Sequence, residues 1–391
     1  MTPAVPGDHP EVAEAGRLEI PVIKRARALG AWVSGGSVVA VAGTHGKTTT
    51  TTMVTQILAR SGMDPTGFVG GWVPEWKGHL RTGRDDLFVV EADEYDRSFL
   101  ELKPTVAIVT SVEADHLDTY GGLEAVMTAF HEFLKALPSD GRGIICGDDH
   151  GASRLLPALG DRGYTYGTAA GSQLRAIEIE VTSEGMAFRV MEEGVDMGVF
   201  RLSVPGVHNL RNALGATAAA RFLGVDWDTI RRGLESYQGV ARRFDTIGLV
   251  GGILVVDDYA HHPTEIAATL AAARAAHPDR RIVVVFQPHL FTRTRDFANE
   301  LGQALTEADV VWVTDIYAAR EEPIPDITGE LVALAAGRCE VKVHYHADIE
   351  TLPDVVVEDL ASGDLLLTMG AGSVDGVAPR IITLLEARND A

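Results

Sequence analysis

The sequence predicts an α/β protein with two sheets in series, and three observations carry that prediction. The stretch "VVAVAGTHGKTTTTTMVTQIL", Val38 to Leu58, passes from β-branched residues through a glycine-rich turn into a lysine, five threonines and a helical pattern. Apolar strand-like runs then alternate with helical segments as far as about Gly239, the signature of a parallel sheet with crossover helices. Five further strand and helix units follow to the C-terminus, as in a doubly wound, Rossmann-like domain. The implied division is residues 1–36, 37–240 and 241–391.

Taken in order, residues 1–36 supply a helix from Pro10 to Gly16, a short strand "IPVI" and a helix "KRARALGAWV", too little to bury a core alone. From Ser37, the strands "SVVAVAG", "DLFVVEAD" and "TVAIVTSV" are separated by helical stretches such as "LEAVMTAFHEFLKAL". The segment "LRAIEIEVTSEGMAFRVMEEGVDMGVFRLSV" alternates with period two around glycine-containing turns, which predicts antiparallel hairpins added to that sheet. In the last region "GILVVDD", "RIVVVF", "VVWVT", "VKVHY" and "DLLLTMG" are strands, and "PTEIAATLAAARAAH" and "FANELGQALTEA" are helices. No G-x-G-x-x-G follows its first strand, so nothing there points to a dinucleotide.

The first stretch has the order of parts that phosphate binding needs. Gly43 and Gly46 let the backbone turn tightly with its N–H groups inward, and the helix N-terminus adds partial positive charge where an anion would sit. Lys47 would reach the β- and γ-phosphates, and the Thr48 hydroxyl would ligate Mg2+. The general motif G-x-x-x-x-G-K-[ST] puts glycine at position 41, which here is Val41. The loop is therefore a shorter variant that opens at Gly43.

Composition narrows the partners. With 34 basic and 55 acidic residues the net charge is -21, which argues against sequence-independent binding to nucleic acid or to an anionic membrane. The two cysteines, Cys146 and Cys339, lie outside any C-x-x-C and are expected to be buried thiols. No apolar run approaches the ~18 residues of a membrane span and no signal-like N-terminus is present, so a cytoplasmic protein without membrane insertion is expected.

Polar residues collect just past the strands, where such sheets do chemistry. "FVVEADEYD" delivers Glu91, Asp93, Glu94 and Asp96, and "AIVTSVEADHLDTY" delivers Glu113, Asp115, His116 and Asp118. Carboxylates and an imidazole beside a phosphate loop are the donors that further Mg2+ coordination would need.

"GTHGKTTTT", "EADEYD", "EADHLDTY", "PGVHNLRNALGA", "GVARRFD", "DDYAHHPTE" and "FQPHLFTRTRDF", in this order, resemble the Mur ligase family over nearly the whole chain. That resemblance accounts for Val41, because the family's ATP loop has the shorter G-T-x-G-K-T form. It implies that Gly43, Thr44, His45, Gly46, Lys47, Thr48 and Thr49 surround the triphosphate and that Thr48, Glu91 and His116 hold metal. It further implies that His208, Asn209 and Asn212 hold the nucleotide, that Arg243 reaches the phosphates, and that Asp258 faces ATP. His261, Arg293, Tyr259 and His289 fall in the region serving the incoming amino acid and acyl group. Where family members often read H-R-[YF] after "FQP", this chain reads His289-Leu290-Phe291, so Arg293 or Arg295 must supply the carboxylate-facing charge.

The chemistry so implied uses ATP and Mg2+ to join L-alanine to the lactyl carboxylate of UDP-N-acetylmuramate. A carboxylate expels oxide poorly, so the γ-phosphoryl group is first transferred to it. The amine then attacks the acyl phosphate and phosphate leaves, with Lys47, Arg243 and the metal bearing the developing charge. The family also begins with a UDP-binding domain, of which only "TPAVPGDHPEVAEAGRLEIPVIKRARAL" resembles the final segment, so most of that domain is expected to lie outside this sequence. Competing readings are a murein-peptide ligase acting on the same nucleotide sugar, an ATP-binding module without ligase activity, and a P-loop kinase or GTPase. The last is disfavoured because the chain has no guanine-reading N-K-x-D and has a second α/β domain.

Overall fold

The computed structural model describes residues 1–2, 5, 7–115, 117–339 and 341–390. The chain forms two compact units, one of Met1–Glu180, Ala187–Ser203 and His208–Gln238, the other of Val181–Met186, Val204–Val207 and Gly239–Ala391.

The first sheet has ten strands: β1 (Ser37–Ala42), β2 (Thr66–Val73), β3 (Gly78–Arg81), β4 (Leu87–Glu91), β5 (Val106–Val109), β6 (Arg142–Cys146), β7 (Gly163–Gly167), β8 (Leu174–Thr182), β9 (Gly185–Glu192) and β10 (Val195–Leu202). Their order is β10-β9-β8-β7-β6-β5-β1-β4-β2-β3. β1 pairs in parallel with β4 and β5, the parallel ladder continues through β6, β7 and β8, and β3 is antiparallel to β2. Two-residue connections join β8 to β9 and β9 to β10, which only antiparallel neighbours allow. β1 is therefore a central strand, and its residues Val38 to Ala42 are fully buried because helices cover both faces of a parallel sheet. Below it Phe99 packs edge-on to Phe130, with centroids 5.1 Å apart, and stacks on Phe133 at 4.9 Å.

The second unit has six strands: β11 (Asp245–Val250), β12 (Ile253–Asp258), β13 (Arg281–Phe286), β14 (Val310–Val313), β15 (Lys342–Tyr345) and β16 (Asp364–Met369), ordered β11-β12-β16-β13-β14-β15. All neighbours are parallel except β11 and β12. Alternate residues feed two cores: Val256, Val284 and Leu367 face one, Val255, Val283 and Leu366 the other. Both faces are covered, which is why these strands read as continuous apolar runs.

The predicted α/β class, with its parallel sheet, added hairpins and Rossmann-like second unit, is the fold observed. Details differ. Residues 20–23 form no strand: Pro21 lacks an N–H for a ladder, and Ile20, Val22 and Ile23 are exposed. The helix expected from Phe297 begins at Phe291. β2, β3, β6, β7 and β11 were not anticipated, being short or glycine-interrupted and weakly alternating. Cys146 is buried, but Cys339 is exposed, because it falls in the turn just past the helix Glu330–Gly337 rather than on its apolar face. No helix among the described residues is long and apolar enough to cross a membrane.

Candidate active site

β1 ends at Ala42 with Val41 still buried within it, and the loop opens at Gly43. Gly43 (φ 136) and Gly46 (φ 79) occupy backbone regions that side chains rarely adopt. They also have no room for one: a Cβ at Gly43 would lie 2.1 Å from Thr110 Oγ1, and at Gly46 2.4 Å from Asn212 Oδ1. The segment after β5 pins the loop, since Thr44 N donates to Ser111 O at 2.9 Å and His45 N to Ser111 Oγ at 3.0 Å. Glu113 N donates to Thr44 Oγ1 at 2.9 Å, and the Glu113 carboxylate lies 3.6 Å from His45 Nε2.

Gly46 caps the helix Lys47–Arg60, whose threonines from Thr48 to Thr52 are all buried. Thr51, Thr52 and Thr55 return their hydroxyls to carbonyls one turn back, at 2.7–2.8 Å. Lys47 Nζ donates to Gly43 O (2.6 Å) and Thr44 O (3.2 Å) and is paired with Glu94, 2.9 Å from Oε2. Burial opposes the ammonium, but Glu94, Asp93 and Glu91 outweigh it and hold Lys47 above the usual lysine range. The lysine is thus held inside the loop and is not surface-facing.

Thr48 donates its hydroxyl to Glu91 Oε1 at 3.0 Å, and Gly70 N donates to Glu91 Oε2 at 2.5 Å. The structure therefore brings together two of the three predicted metal ligands, one from the end of β4 and one from the loop helix. His116, the third, lies outside the described residues. An oxygen-only pair of hydroxyl and carboxylate suits a hard divalent cation such as Mg2+. Asn212 lies against Gly46 and donates to Asn209 Oδ1 at 3.4 Å, both within the helix Val207–Phe222, where His208 also sits. Beside Glu91 and Asp93 a cavity of about 460 Å³ is walled by Arg25, Trp32, Phe68 and His79.

In the second unit, polar side chains gather past the carboxyl ends of β12, β13 and β14. Asp258 ends β12 and is filled by backbone amides, accepting from Phe244 N and Ala260 N at 2.8 Å each. Burial raises its carboxyl to about 6, which Arg243 and those amides partly oppose. Arg242 and Phe244 both have left-handed backbones, φ 61 and 52, so the turn that presents Arg243 is strained on either side and tied down by Asp258. Arg242 is used structurally, bonded to Asp257 at 2.9 Å and to Gly370 O at 2.6 Å, whereas Arg243 lies 3.7 Å from Glu265. Both guanidinium carbons sit 5.1 Å from the Tyr259 ring centre.

His261 Nδ1 meets only acceptors, Tyr259 O at 2.9 Å and Glu265 Oε2 at 3.2 Å, so it carries the proton and leaves Nε2 as an acceptor. Burial lowers its pKa to about 3; Glu265 opposes that shift and the charge of Arg293 adds to it. His262, not His261, caps the helix Pro263–Ala276. His289 lies 5.6 Å from His261 and stacks on Tyr317 at 5.9 Å. Of the two candidate arginines, Arg293 is buried in the first turn of the helix Phe291–Leu305, where the helix dipole disfavours a cation. Arg295 is 52% exposed and held by Asp296 at 2.7 Å. The sequence offers Glu94 only as one of several possible Mg2+ donors, not as the partner of Lys47, and gives Gly70, Glu265 and Tyr317 no role. Glu265, one helical turn after His261, had a local signal, whereas the others are brought in by tertiary packing.

A phosphate loop on a parallel sheet, joined to a Rossmann-like unit with its own polar cluster, defines a nucleotide-dependent enzyme of the α/β class. The Mur ligase middle domain matches residues 41–220, and the glutamate ligase domain of Mur ligases matches residues 242–372. The chain belongs to the Mur ligase family. It is 42% identical to the UDP-N-acetylmuramate–L-alanine ligase of Salinibacter ruber over 97% of this chain and 80% of that one. To the enzyme of the same description from Oleidesulfovibrio alaskensis it is 44% identical, over 95% and 82%. Among solved structures it is similar to the UDP-N-acetylmuramate-alanine ligase of Thermotoga maritima (TM-score 0.85, 28% identity, 99% and 84% covered). A murein peptide ligase from Psychrobacter arcticus gives a TM-score of 0.69 at 28% identity, over 98% and 84%.

Proposed function

We propose that this protein joins L-alanine to the carboxylate of UDP-N-acetylmuramate at the expense of ATP, in the synthesis of peptidoglycan precursors in the cytoplasm. The observation that carries the reading is the Gly43–Thr49 loop with Lys47 held inside it and Thr48 against Glu91, in a chain 42% identical to named alanine ligases.

Mg2+ bound by Thr48 and Glu91, with His116, would neutralise phosphate charge during transfer. Lys47 and the loop amides hold the triphosphate, and Asn209 and Asn212 flank the nucleotide. The cavity beside Glu91 and Asp93, apolar at Trp32 and Phe68 and cationic at Arg25, suits the carboxylate end of a sugar nucleotide. In the second unit Arg243 serves phosphate. Arg293 pairs with the carboxylate of the amino acid, and His261 Nε2 accepts from its amine.

The test is ADP release with ATP, Mg2+, a high concentration of UDP-N-acetylmuramate, and L-alanine, each omitted in turn. Release that needs all of them is expected. Release indifferent to alanine, or stimulated by a tripeptide instead, would refute the assignment.

A further inference from the structure

The ammonium of Lys47 has three hydrogens to donate. Two directions end on carbonyls of its own loop, Gly43 O at 2.6 Å and Thr44 O at 3.2 Å. The third ends on Glu94, 3.1 Å from Oε1 and 2.9 Å from Oε2, and only 13% and 3% of the two side chains are exposed. A phosphate entering the loop needs that same third donor, because the carbonyls hold the other two. Glu94 therefore stands where the substrate's anion must go. It is also placed to move. It precedes a turn in which Asp96 and Arg97 both adopt left-handed backbones (φ 52 and 55), a conformation disfavoured for residues with a Cβ. Tyr120 fastens this turn by donating its hydroxyl to the Glu94 carbonyl at 2.6 Å.

We propose that Glu94 is an internal stand-in for phosphate, holding the Lys47 side chain in position while the loop is empty and yielding the lysine when nucleotide binds. The proposal rests on reading the loop as the ATP site. Carboxylate and phosphate compete for one donor and repel each other across it, so neutralising Glu94 strengthens nucleotide binding. The same change weakens the nucleotide-free fold, because Lys47 loses its buried counter-charge.

The experiment measures ADP binding by calorimetry to wild type and Glu94→Gln, once with Mg2+ and once with chelator, together with unfolding temperatures without nucleotide. The variant is expected to bind ADP about tenfold more tightly in both media while unfolding at a lower temperature when empty. Glu94→Asp, which keeps the charge but cannot span to Lys47, should also bind more tightly than wild type, and it serves if the glutamine variant fails to fold. Unchanged or weaker binding in both media overturns the proposal. Weakening confined to Mg2+ also overturns it, by making Glu94 a metal ligand. Wild type that binds neither ADP nor ATP removes the nucleotide assignment itself, whereas wild-type binding without a gain in the variants removes only the role of Glu94.

Discussion

At Lys47, binding and stability are coupled through one ion pair. A loop lysine is ordinarily removable without harm to a fold, but Lys47 is held against Glu94 with only 13% of its side chain exposed. Lys47→Ala should abolish ADP binding and also destabilise the first unit by about 3–5 kcal/mol, since it strands a buried carboxylate. Lys47→Ala combined with Glu94→Gln should recover much of that stability without recovering binding, and denaturant melts beside calorimetry separate the two effects. His261 gives a pH-dependent counterpart. An unfolded histidine titrates near 6.5, but burial lowers folded His261 to about 3. Between those values the unfolded chain holds a proton that the folded chain lacks. The stability contributed by neutral His261 is therefore complete above pH 6.5 and is lost as pH falls toward 3, at up to about 1.4 kcal/mol per pH unit. In His261→Gln the stability gap to wild type should shrink as pH is lowered from 7 to 5. A constant gap in melts would show that the imidazole is not held neutral.

At the scale of elements, the helix Arg25–Val33 shows how residues 25–33 join the first unit. Val33 is in the core, Leu29 packs against it, and Gly30 approaches so closely that a Cβ there would lie 2.3 Å from Glu101 O. Gly30→Ala gains helix propensity yet must push the helix off that backbone. It should destabilise by about 1–3 kcal/mol, and a melt at or above the wild-type temperature would contradict the packing. Legibility in the sequence follows the range of the forces involved. The loop and its helix were legible because Gly43, Gly46, Lys47 and Thr48 act through local backbone geometry. The central strands were legible because both their faces are buried. β11 was missed because its exposed side alternates weakly, with Ile247 and Leu249 facing outward. Glu94 was visible as one acidic residue among four, and nothing nearby in sequence says that it, rather than Asp93 or Asp96, turns onto Lys47. Arg293 and Arg295 read alike in "FTRTRDF", and only the burial of one face of that helix separates them.

For the whole molecule, a chain of net charge -21 that takes up ATP and a nucleotide sugar must concentrate cations at its sites. The largely covered Lys47 and the buried Arg293, with half-buried Arg243, do so within the two units. The central claim is that ATP is used to activate a carboxylate for attack by L-alanine, and the most direct measurement follows the oxygen that carboxylate must lose. UDP-N-acetylmuramate labelled with oxygen-18 in its lactyl carboxylate is incubated with the protein, ATP, Mg2+ and L-alanine, and the inorganic phosphate is analysed by mass spectrometry. Transfer through an acyl phosphate predicts one labelled oxygen in each phosphate released, together with an alanyl amide that keeps the other. Phosphate without label, formed by hydrolysis of ATP alone, would contradict the account.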